Sequence, residues 1–543
     1  MSKASVANLN EADYVVVGAG SAGCAVAGRL ADSGASVILL EAGGGDSSVM
    51  FRKPGMITMI HSDPKMKAKF DWGWYHAPQR ELFNRKIPAT RGKLMGGSSS
   101  VNGMIFVRGN KANFDSWEAD GCPGWGYADV LPTFRKMEDW EGGSSDFRGA
   151  GGPVKVIENH DITDVAKMFI DSASKVLGVP VNPDYNGEQQ EGVHAIQENT
   201  RDSVRYSSSR AYLDEAAQPT LQVQTGVLAD RVIIDNGRAT GVHVIDADGS
   251  SRVVRAAKEV IVSAGAYAAP TLLMRSGIGP AAHLAEHGID VVADLPVGDN
   301  FHDHLFVPST WLVDNSPHKS SPLYFGMALL KDRLRPGSNF MAHSVFEAGA
   351  FLRTSLAGPD DAPDMQLLGL PWSYPPYQDE PKRLAPDKRP SWSVFSTLIQ
   401  PRSRGTIRLS GADPNATPVI DPGYLTEPDD LKVILEGFQI IREVMNDSGN
   451  GSHVKAEGEP GKHMVGEELA NELRRRLTTV YHPVGSCRMG SDERAVVDPT
   501  LKVRGIEGLR VADASIMPTI TSGNTNAPAI MIGEKCAEFI LGA

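Results

Sequence analysis

Three glycines and one acid near the start of the chain have the types and spacing that dinucleotide binding requires. Gly18, Gly20 and Gly23 form a G-x-G-x-x-G pattern, and Glu41 follows after a short interval. The first glycine of such a pattern permits a tight turn, the second lets backbone approach a pyrophosphate, and the third allows a helix to pack closely on a strand. A carboxylate at the position of Glu41 accepts hydrogen bonds from ribose hydroxyls and disfavours a 2′-phosphate.

The residues around these glycines predict the elements that would position them. Residues 14–17 are predicted as an apolar strand, residues 24–33 as a helix with small and apolar residues on one face, and residues 36–40 as a second strand. The helix N-terminus offers free N–H groups and the positive end of its dipole to phosphates. A glycine-rich turn without a ligand is the alternative, but the order of strand, helix and acid favours dinucleotide binding. The pattern leaves NAD and FAD open.

The bulk composition limits the classes of protein. The chain has 543 residues, of which 41% are hydrophobic and 22% charged, and its net charge is −12. This length allows three or four domains or two large lobes, and the charge gives no support to a nucleic-acid partner. The four cysteines lie far apart, which indicates neither a zinc site nor a disulfide framework. The polar N-terminus and the lack of an apolar run of ~18 residues predict a cytoplasmic protein without a membrane span.

A second glycine-rich stretch occurs at residues 91–109 and includes Gly97 and Ser98. Its glycines and consecutive serines predict a loop that brings backbone N–H groups and hydroxyls against a flat or anionic group. The apolar residues from Met104 to Val107 are expected to enter a strand or helix and anchor this loop inside the protein. A flexible surface loop is the alternative.

Later patterns predict that the dinucleotide-binding domain is discontinuous in sequence. A hairpin is expected over residues 221–245 around Asp235-Asn236-Gly237, then a buried strand at 259–262 and a helix at 270–276. A strand at 509–512 ends at Asp513, at the edge where open α/β sheets bind ligands, and an apolar helix is expected at 529–541. Residues 305–475 predict a separate lobe with an antiparallel sheet and a helix at 429–446, and residues 163–177 also have helical periodicity.

Five motifs in this order resemble the glucose–methanol–choline (GMC) oxidoreductases, a family of flavoproteins. They span residues 92–115, 265–279, 295–304, 481–490 and 513–528, and the resemblance covers about residues 14–541. Met95 and Ala269 are mild departures from the family's two signatures. The resemblance implies an α/β fold with an α+β second lobe. A Rossmann-type FAD-binding domain is expected from residues 1–160, 210–305 and 476–543, and a substrate-binding domain on an antiparallel sheet from residues 161–209 and 306–475.

The resemblance makes the dinucleotide FAD and implies its binding residues. The adenosine half is expected on Gly18, Gly20, Ser21, Ala22, Gly23, Glu41, Ala42 and the backbone of Ala229. The flavin half is expected near Trp74, Gly97, Ser98, Asn102, Gly103, Met104, Ile105, Asp513, Ala514, Thr525 and Asn526. Some choline-oxidising members carry a flavin-linked histidine just before the equivalent of Asn102. Here that residue is Val101, so FAD is expected to be non-covalent.

The resemblance also implies the catalytic residues. His482 matches the family's base, and an imidazole suits this task because its usual pKa of ~6.5 is close to working pH. Asn524 matches a second residue that is His or Asn in the family, and an amide can orient a substrate oxygen but cannot act as a base. On spacing alone, one histidine among 14 is more often structural, Asn524 can be a turn residue, and Asn526 is the rival to Asn524.

The expected reaction is oxidation of a primary alcohol, aromatic and furanic ones included, to the aldehyde by hydride transfer to the flavin. Val480 favours O₂ as acceptor, with peroxide as product. A dehydrogenase using a quinone or another acceptor is the alternative. A lyase, a photodecarboxylase or a non-enzymatic flavin protein fits the motifs less well, because His482 and Asn524 are both present. Trp372, Tyr374 and Phe395 could line the substrate pocket or be core residues. The oligomeric state stays open.

Overall fold

The computed structural model describes residues 10–214, 218–314, 322–373, 389–447 and 453–542. Its strands, β1 to β21 in chain order, are Glu11–Val17, Val37–Glu41, Glu138–Trp140, Val154–Glu158, Gly192–Ala195, Gln197–Glu198, Thr200–Arg201, Val204–Arg205, Leu221–Thr225, Val227–Asp235, Arg238–Asp246, Ser251–Val262, Leu305–Val313, Ala348–Leu352, Met365–Leu370, Ser391–Leu398, Thr406–Arg408, Val419–Asp421, Val454–Glu459, Thr478–Thr479 and Leu509–Val511. Its helices, α1 to α13, are Ser21–Asp32, Val49–Arg52, Ile57–Ser62, Pro64–Lys67, Lys111–Ala119, Tyr127–Met137, Asp164–Leu177, Gly265–Arg275, Ala281–Glu286, Pro322–Leu334, Pro428–Met445, Gly466–Arg476 and Asn526–Leu541.

The first large sheet carries the glycine pattern. Its order is β10-β11-β12-β1-β2-β9, with β21 beside β12, and the neighbours of β1 and β2 are parallel to them. Strand β2 is buried along its whole length, as expected for a parallel strand covered on both faces. The carboxyl ends of β1, β2, β12 and β21 therefore meet at one edge, where α1 begins. Strands from three distant parts of the chain build this sheet, so the predicted fold class is confirmed.

The second large sheet is antiparallel, also as predicted. Its order is β19-β13-β16-β15-β14-β5, with β20 beside the start of β13. Helices α7 and α11 pack apolar faces against it around Phe169, Phe438 and Trp392. This sheet forms the lobe opposite the glycine pattern. The domain boundaries proposed from the sequence stay a prediction.

Helix α8 begins at Gly265, five residues earlier than the sequence predicts. Proline favours the first turn of a helix because it has no N–H, so Pro270 indicates a start that the structure does not have. Inside α8 the missing N–H leaves the carbonyl of Ala266 without its helical donor. The hydroxyl of Ser486 donates to that carbonyl at 2.6 Å, so a side chain from elsewhere completes the helix.

Three other local predictions are wrong, the first being the start of α1, which begins at Ser21 rather than at residue 24. Residues 104–107 form neither strand nor helix: Met104 has a left-handed backbone with φ of 63°, and Ile105 makes a single bridge to Glu198. Helix α13 begins at Asn526 rather than at 529, which brings its N-terminus to the edge of the first sheet. The predicted hairpin is confirmed for β10 and β11, with Asp235 opposite Arg238, but residues 221–225 form the separate strand β9, which is parallel to β2. The predicted helices α7 and α11 are confirmed.

Within the described ranges, no helix is both long and apolar enough to cross a membrane. No group of three or more His, Cys, Asp or Glu side chains in that part of the chain could hold a metal ion. The four cysteines are buried thiols.

Candidate active site

A cavity of about 630 Å³ runs between the two large sheets. It is lined by all the residues that the sequence assigns to FAD and to catalysis, except Gly23. Of the three candidate substrate-pocket residues, Trp372 and Phe395 line it, and Tyr374 lies outside the described residues. The structure therefore brings together residues that are up to five hundred positions apart in the chain.

Gly18, Gly23 and Gly97 each meet backbone that a side chain would displace. Gly18 has φ of 100°, and a Cβ there would lie 2.5 Å from the carbonyl oxygen of Ser263. A Cβ on Gly23 would overlap the carbonyl oxygen of Gly18, which explains why Gly23 packs behind the cavity rather than lining it. A Cβ on Gly97 would lie 2.8 Å from the Cα of Gly20, so the two glycine-rich loops meet here. These contacts form a cradle of exposed backbone.

Glu41 lies at the end of β2 and holds this cradle. Its carboxylate accepts hydrogen bonds from the backbone N–H of Ala19 at 3.0 Å and of Gly43 at 2.8 Å. Burial raises the pKa of Glu41 to about 7, and the two N–H donors oppose that rise. A bound ribose would add hydroxyl donors to this carboxylate and lower its pKa.

The N-termini of two helices meet at the cavity. The hydroxyl of Ser21, first residue of α1, donates to Oδ1 of Asn526, first residue of α13, at 2.8 Å. Both helices therefore direct the positive ends of their dipoles to one place, which suits a pyrophosphate. Asp513 lies beside them and accepts from the backbone N–H of Gly265 and Ser515, both at 2.8 Å.

A buried arginine supports the second glycine-rich loop. Nη1 of Arg205 donates to Oδ1 of Asn102 at 2.7 Å and to its carbonyl oxygen at 2.8 Å, and the N–H of Met104 donates to the same Oδ1 at 3.0 Å. This arrangement holds Asn102 and the left-handed Met104 at the cavity wall. Trp74 stacks on Trp72 nearby, with ring centroids 4.9 Å apart.

A bulge beside β13 positions His482. Residues 480–483 lie opposite residues 303–304, between the pair Leu305–Thr479 and the bridge His302–Val484. The two extra residues push His482 out of the ladder and into the cavity. The preceding Tyr481 takes a left-handed backbone with φ of 65° to make this turn.

The carboxylate of Asp303 fixes the bulge. It accepts from the backbone N–H of His482 at 2.7 Å, from the hydroxyl of Tyr424 at 2.9 Å and from Oγ1 of Thr479. Asp303 is fully buried, and burial raises its pKa while these donors oppose the rise. Because three donors meet one buried carboxylate, the backbone at His482 is held from several directions.

A second histidine sets the tautomer of His482. Nε2 of His304 lies 3.0 Å from the carbonyl oxygen of Ile399, so Nε2 carries the proton of the neutral ring. Nδ1 of His304 is then an acceptor, and it lies 3.0 Å from Nδ1 of His482. His482 must therefore donate from Nδ1, which leaves the lone pair of its Nε2 facing the cavity.

Burial lowers the pKa values of both histidines. The pKa of His304 falls to about 3, opposed by the carbonyls of Ile399 and Thr521. The pKa of His482 lies well below its usual value, because of burial first and then of the positive charges that His304 and Arg91 would place beside it. Both rings are thus neutral at pH 7, and His482 is ready to accept a proton.

Asn524 faces the free nitrogen of His482. Its Nδ2 lies 3.3 Å from Nε2 of His482, and its Oδ1 lies 3.4 Å from Nε2 of Gln366. A lone pair on His482 requires a donor, so the amide group of Asn524 presents N–H to the reaction space and its oxygen to Gln366. Gln366 comes from β15 and is fully buried.

One face of the antiparallel sheet forms an apolar wall beyond Asn524. Alternate residues of β13, β15 and β16 line it in cross-strand rows, with Pro308 opposite Phe395 and Leu368 opposite Phe395. Phe306 stacks on Phe395 at 4.4 Å between ring centroids, and Phe346 packs against Phe395 at 5.8 Å. Among the described lining residues, the carboxylates are Glu41 and Asp513, both engaged with backbone N–H groups.

Sequence reasoning missed several residues of the site. Asp303 and His304 lie within the motif at 295–304 but received no role, and Gln366 lies in an apolar strand without any polar pattern around it. The closely spaced sequence Phe301-His302-Asp303-His304 was the available signal, since adjacent titratable side chains at the start of a strand often mark a site.

Comparison with known proteins adds a decisive observation. The N-terminal family model for GMC oxidoreductases matches residues 12–306, and the C-terminal one matches residues 401–533. The chain belongs to the GMC oxidoreductase family. These enzymes are FAD-dependent flavoproteins that oxidise alcohols, so the predicted family, fold class and enzyme class are confirmed.

Individual relatives resemble this GMC oxidoreductase over its whole length. Oxygen-dependent choline dehydrogenase from Sinorhizobium medicae (strain WSM419) is 39% identical over 539 residues, covering 98% of this chain and 96% of the relative. Pyridoxine 4-oxidase from Mesorbium loti superposes with a TM-score of 0.86 at 27% identity, covering 98% of this chain and 99% of the other. A formate oxidase variant from Aspergillus oryzae RIB40 superposes with a TM-score of 0.88 at 27% identity and 98% coverage of each chain.

Proposed function

We propose that this GMC oxidoreductase oxidises an uncharged, apolar primary alcohol to the aldehyde, with His482 as the base and O₂ as the electron acceptor. The observation that carries the proposal is the neutral His482, whose Nε2 lone pair faces a cavity with an apolar wall. Bound FAD supplies the two-electron acceptor for the hydride that leaves the alcohol carbon.

The lining residues fit FAD. The cradle at Gly18 and Gly97 leaves no room for a Cβ, and two helix N-termini meet beside it at Ser21 and Asn526. Bare backbone and helix N-termini are what a pyrophosphate requires, and Glu41 offers a carboxylate for ribose hydroxyls. We assign to FAD the binding residues that the sequence predicts, with Gly23 acting through the packing of α1.

His482 and Asn524 have unequal roles. An alcohol is a weak acid, so its proton must leave as the carbon gives up hydride, and Nε2 of His482 is the site that accepts it. The N–H of Asn524, held by Gln366, donates to the substrate oxygen and orients it. Asn524 cannot act as the base, because the lone pair of its amide nitrogen is delocalised into the carbonyl group.

His304 acts as a positioning residue in this proposal. We expect His304→Ala to lower kcat/KM by roughly 10- to 100-fold, because the buried Nδ1–H of His482 loses its acceptor and the ring can adopt the wrong tautomer. His304→Gln should recover part of the loss, since its amide can donate to Ile399 and accept from His482. Steady-state kinetics of the two variants, each with its FAD content measured, check this. Equal rates for the two variants would contradict the role in tautomer selection.

We expect FAD to be held without a covalent bond. Val101 is buried among Ile60, Phe70 and Leu94, and it offers no nucleophile beside Asn102. His61 also lines the cavity, but its Nε2 lies 2.7 Å from the carbonyl oxygen of Val101 and is used there. Acid precipitation should leave the yellow flavin in the supernatant, and colour retained in the pellet would contradict this prediction.

The apolar wall favours an uncharged substrate. A permanent cation next to Phe306 and Leu368 would lose its hydration without gaining a free carboxylate from the described lining. Choline is the second candidate, because relatives are named choline dehydrogenases and the faces of Phe346, Phe395 and Trp372 could hold a quaternary ammonium group. The two candidates differ in one property, the charge of the substrate.

O₂ is proposed as acceptor because the surroundings of His482 are small and apolar on one side. Val480 lines the cavity two residues before His482. The relatives named oxidases or oxygen-dependent also support O₂. The second candidate is a dehydrogenase that uses a quinone or another acceptor.

A panel of alcohols tests substrate and acceptor together. We expect benzyl alcohol, hydroxymethylfurfural and 1-hexanol to reduce the bound flavin anaerobically, with kcat/KM at least roughly 100-fold above that of choline. In air, peroxide should form in equal amount to aldehyde. Faster reduction by choline would favour the second substrate, and aldehyde formation that requires an added quinone would favour the dehydrogenase. Flavin that no alcohol reduces would contradict alcohol oxidation itself.

A further inference from the structure

Helix α10, Pro322–Leu334, is apolar on two opposite faces. Its inner face packs Ala328 against Met56 and Met341, with Phe325 and Leu329 beside them. Its outer face exposes Leu323, Met327, Leu330 and Leu334, with Leu323 at 73% and Leu334 at 78% exposed. A helix that is apolar all round normally lies inside a protein or in contact with lipid.

The four outer residues form one narrow stripe. They lie at positions i, i+4, i+7 and i+11, which at 100° per residue fall within about 60° of one another. Lys331 and Arg333 lie about 80° to either side of the stripe, and Arg335 follows the end of the helix. Among the described residues, none of these three cations forms an ion pair. Basic side chains that flank an apolar stripe are the arrangement of helices that lie in a membrane interface.

Asp332, the acidic residue of α10, adds no negative charge to the outer face of the helix. Asp332 is buried on the inner side and forms an ion pair with Lys53, so it is neutralised there. The outer surface of α10 is therefore apolar in the middle and positive at its edges, on a chain whose net charge is −12.

Apolar side chains connect this helix to the cavity. Tyr324 stacks on Phe340 at 5.7 Å, and Phe340 contacts Trp372 at 6.4 Å between ring centroids. Trp372 lines the cavity that holds His482. The exposed stripe thus lies outside the apolar end of the site.

We propose that α10 docks this protein onto an anionic lipid surface, with its leucine stripe in the acyl boundary and its basic residues at the headgroups. The contact is interfacial and needs no membrane-spanning helix. Charge complementarity selects the occupant: Lys331, Arg333 and Arg335 match phosphate headgroups, whereas a second copy would bring the same positive edges together. The inference does not depend on which alcohol the enzyme oxidises.

Vesicle flotation of the FAD-loaded full chain tests the proposal. With vesicles of 70% phosphatidylcholine and 30% phosphatidylglycerol at low salt, most of the protein should float. With pure phosphatidylcholine, or in high salt, the floating fraction should fall at least several-fold. Leu330→Glu should abolish flotation, and the pair Lys331→Gln and Arg333→Gln should weaken it on anionic vesicles.

Matched controls separate lipid docking from other causes. Val465→Glu changes another exposed apolar residue, at 63% exposure, and should float like the unchanged protein. Alcohol-dependent flavin reduction in detergent-free buffer should be the same in Leu330→Glu, which shows that the fold and site persist. Failure of the unchanged protein to float, or a dimer by light scattering that Leu330→Glu converts to monomer, would overturn the proposal.

Discussion

Replacing His482 by alanine should lower kcat by roughly 10²- to 10⁴-fold, the usual contribution of a positioned general base. The loss follows from the geometry: Nε2 of His482 directs its lone pair into the reaction space, and Asn524 has no basic nitrogen to replace it. Binding of FAD should persist, because the cradle at Gly18 and Gly97 is formed by other segments of the chain. Steady-state turnover with benzyl alcohol and the ratio of flavin to protein are the two measurements.

The pH dependence provides a second readout of His482. The neutral ring is the active form, so kcat/KM should be constant at neutral pH and fall as acid protonates His482. Because burial lowers its pKa, that fall should lie below the usual histidine value of ~6.5. In His482→Ala the residual activity should lack this acid limb.

A matched control is available for His482. His160 is 68% exposed at its side chain and is not one of the residues that line the cavity, so His160→Ala should keep full turnover and the acid limb. Near-normal turnover in His482→Ala would show that another group takes the alcohol proton, and it would leave the assignment of FAD untouched.

The parts of the site that could be predicted from sequence are local. Gly18 and Gly20 lie between β1 and α1, and Gly23 lies in the first turn of α1, so their spacing alone fixes what the backbone can approach. Short local patterns in the sequence likewise predict helices α7 and α11 and the hairpin at Asp235. The resemblance to GMC oxidoreductases then identified the expected dinucleotide as FAD.

The contacts that activate the base depend on tertiary register. His304 and His482 are 178 positions apart, and they meet only because β20 pairs with the start of β13 and the chain then bulges. The hydrogen bond between Gln366 and Asn524 likewise joins residues that are distant in the chain. Periodicity along the chain carries no information on such pairs. The predicted start of α8 was wrong for a related reason, because the hydroxyl of the distant Ser486 completes the hydrogen bonding of the helix around Pro270.

Gly23→Ala should remove most of the FAD-binding capacity without touching His482. A methyl group at Gly23 would overlap the carbonyl oxygen of Gly18 and press on Cβ of Ser263 at 3.1 Å. Backbone cannot yield as a flexible side chain does, so α1 must move away from β1 and the cradle opens. Overpacking of this kind costs about 1–3 kcal/mol or more, which corresponds to a roughly 10- to 100-fold loss of FAD affinity.

Gly45→Ala is the matched control for Gly23→Ala. Gly45 lies shortly after strand β2, and a Cβ there meets no atom within 4 Å. The FAD content of Gly45→Ala should therefore equal that of the unchanged chain. Titration of the apoprotein with FAD measures affinity, and circular dichroism shows whether each variant is folded. A folded Gly23→Ala with unchanged FAD affinity would mean that the N-terminus of α1 does not carry the pyrophosphate. Because Gly23 does not line the cavity, loss of affinity in a folded variant would instead show that close packing of α1 on β1 sets the shape of the cradle.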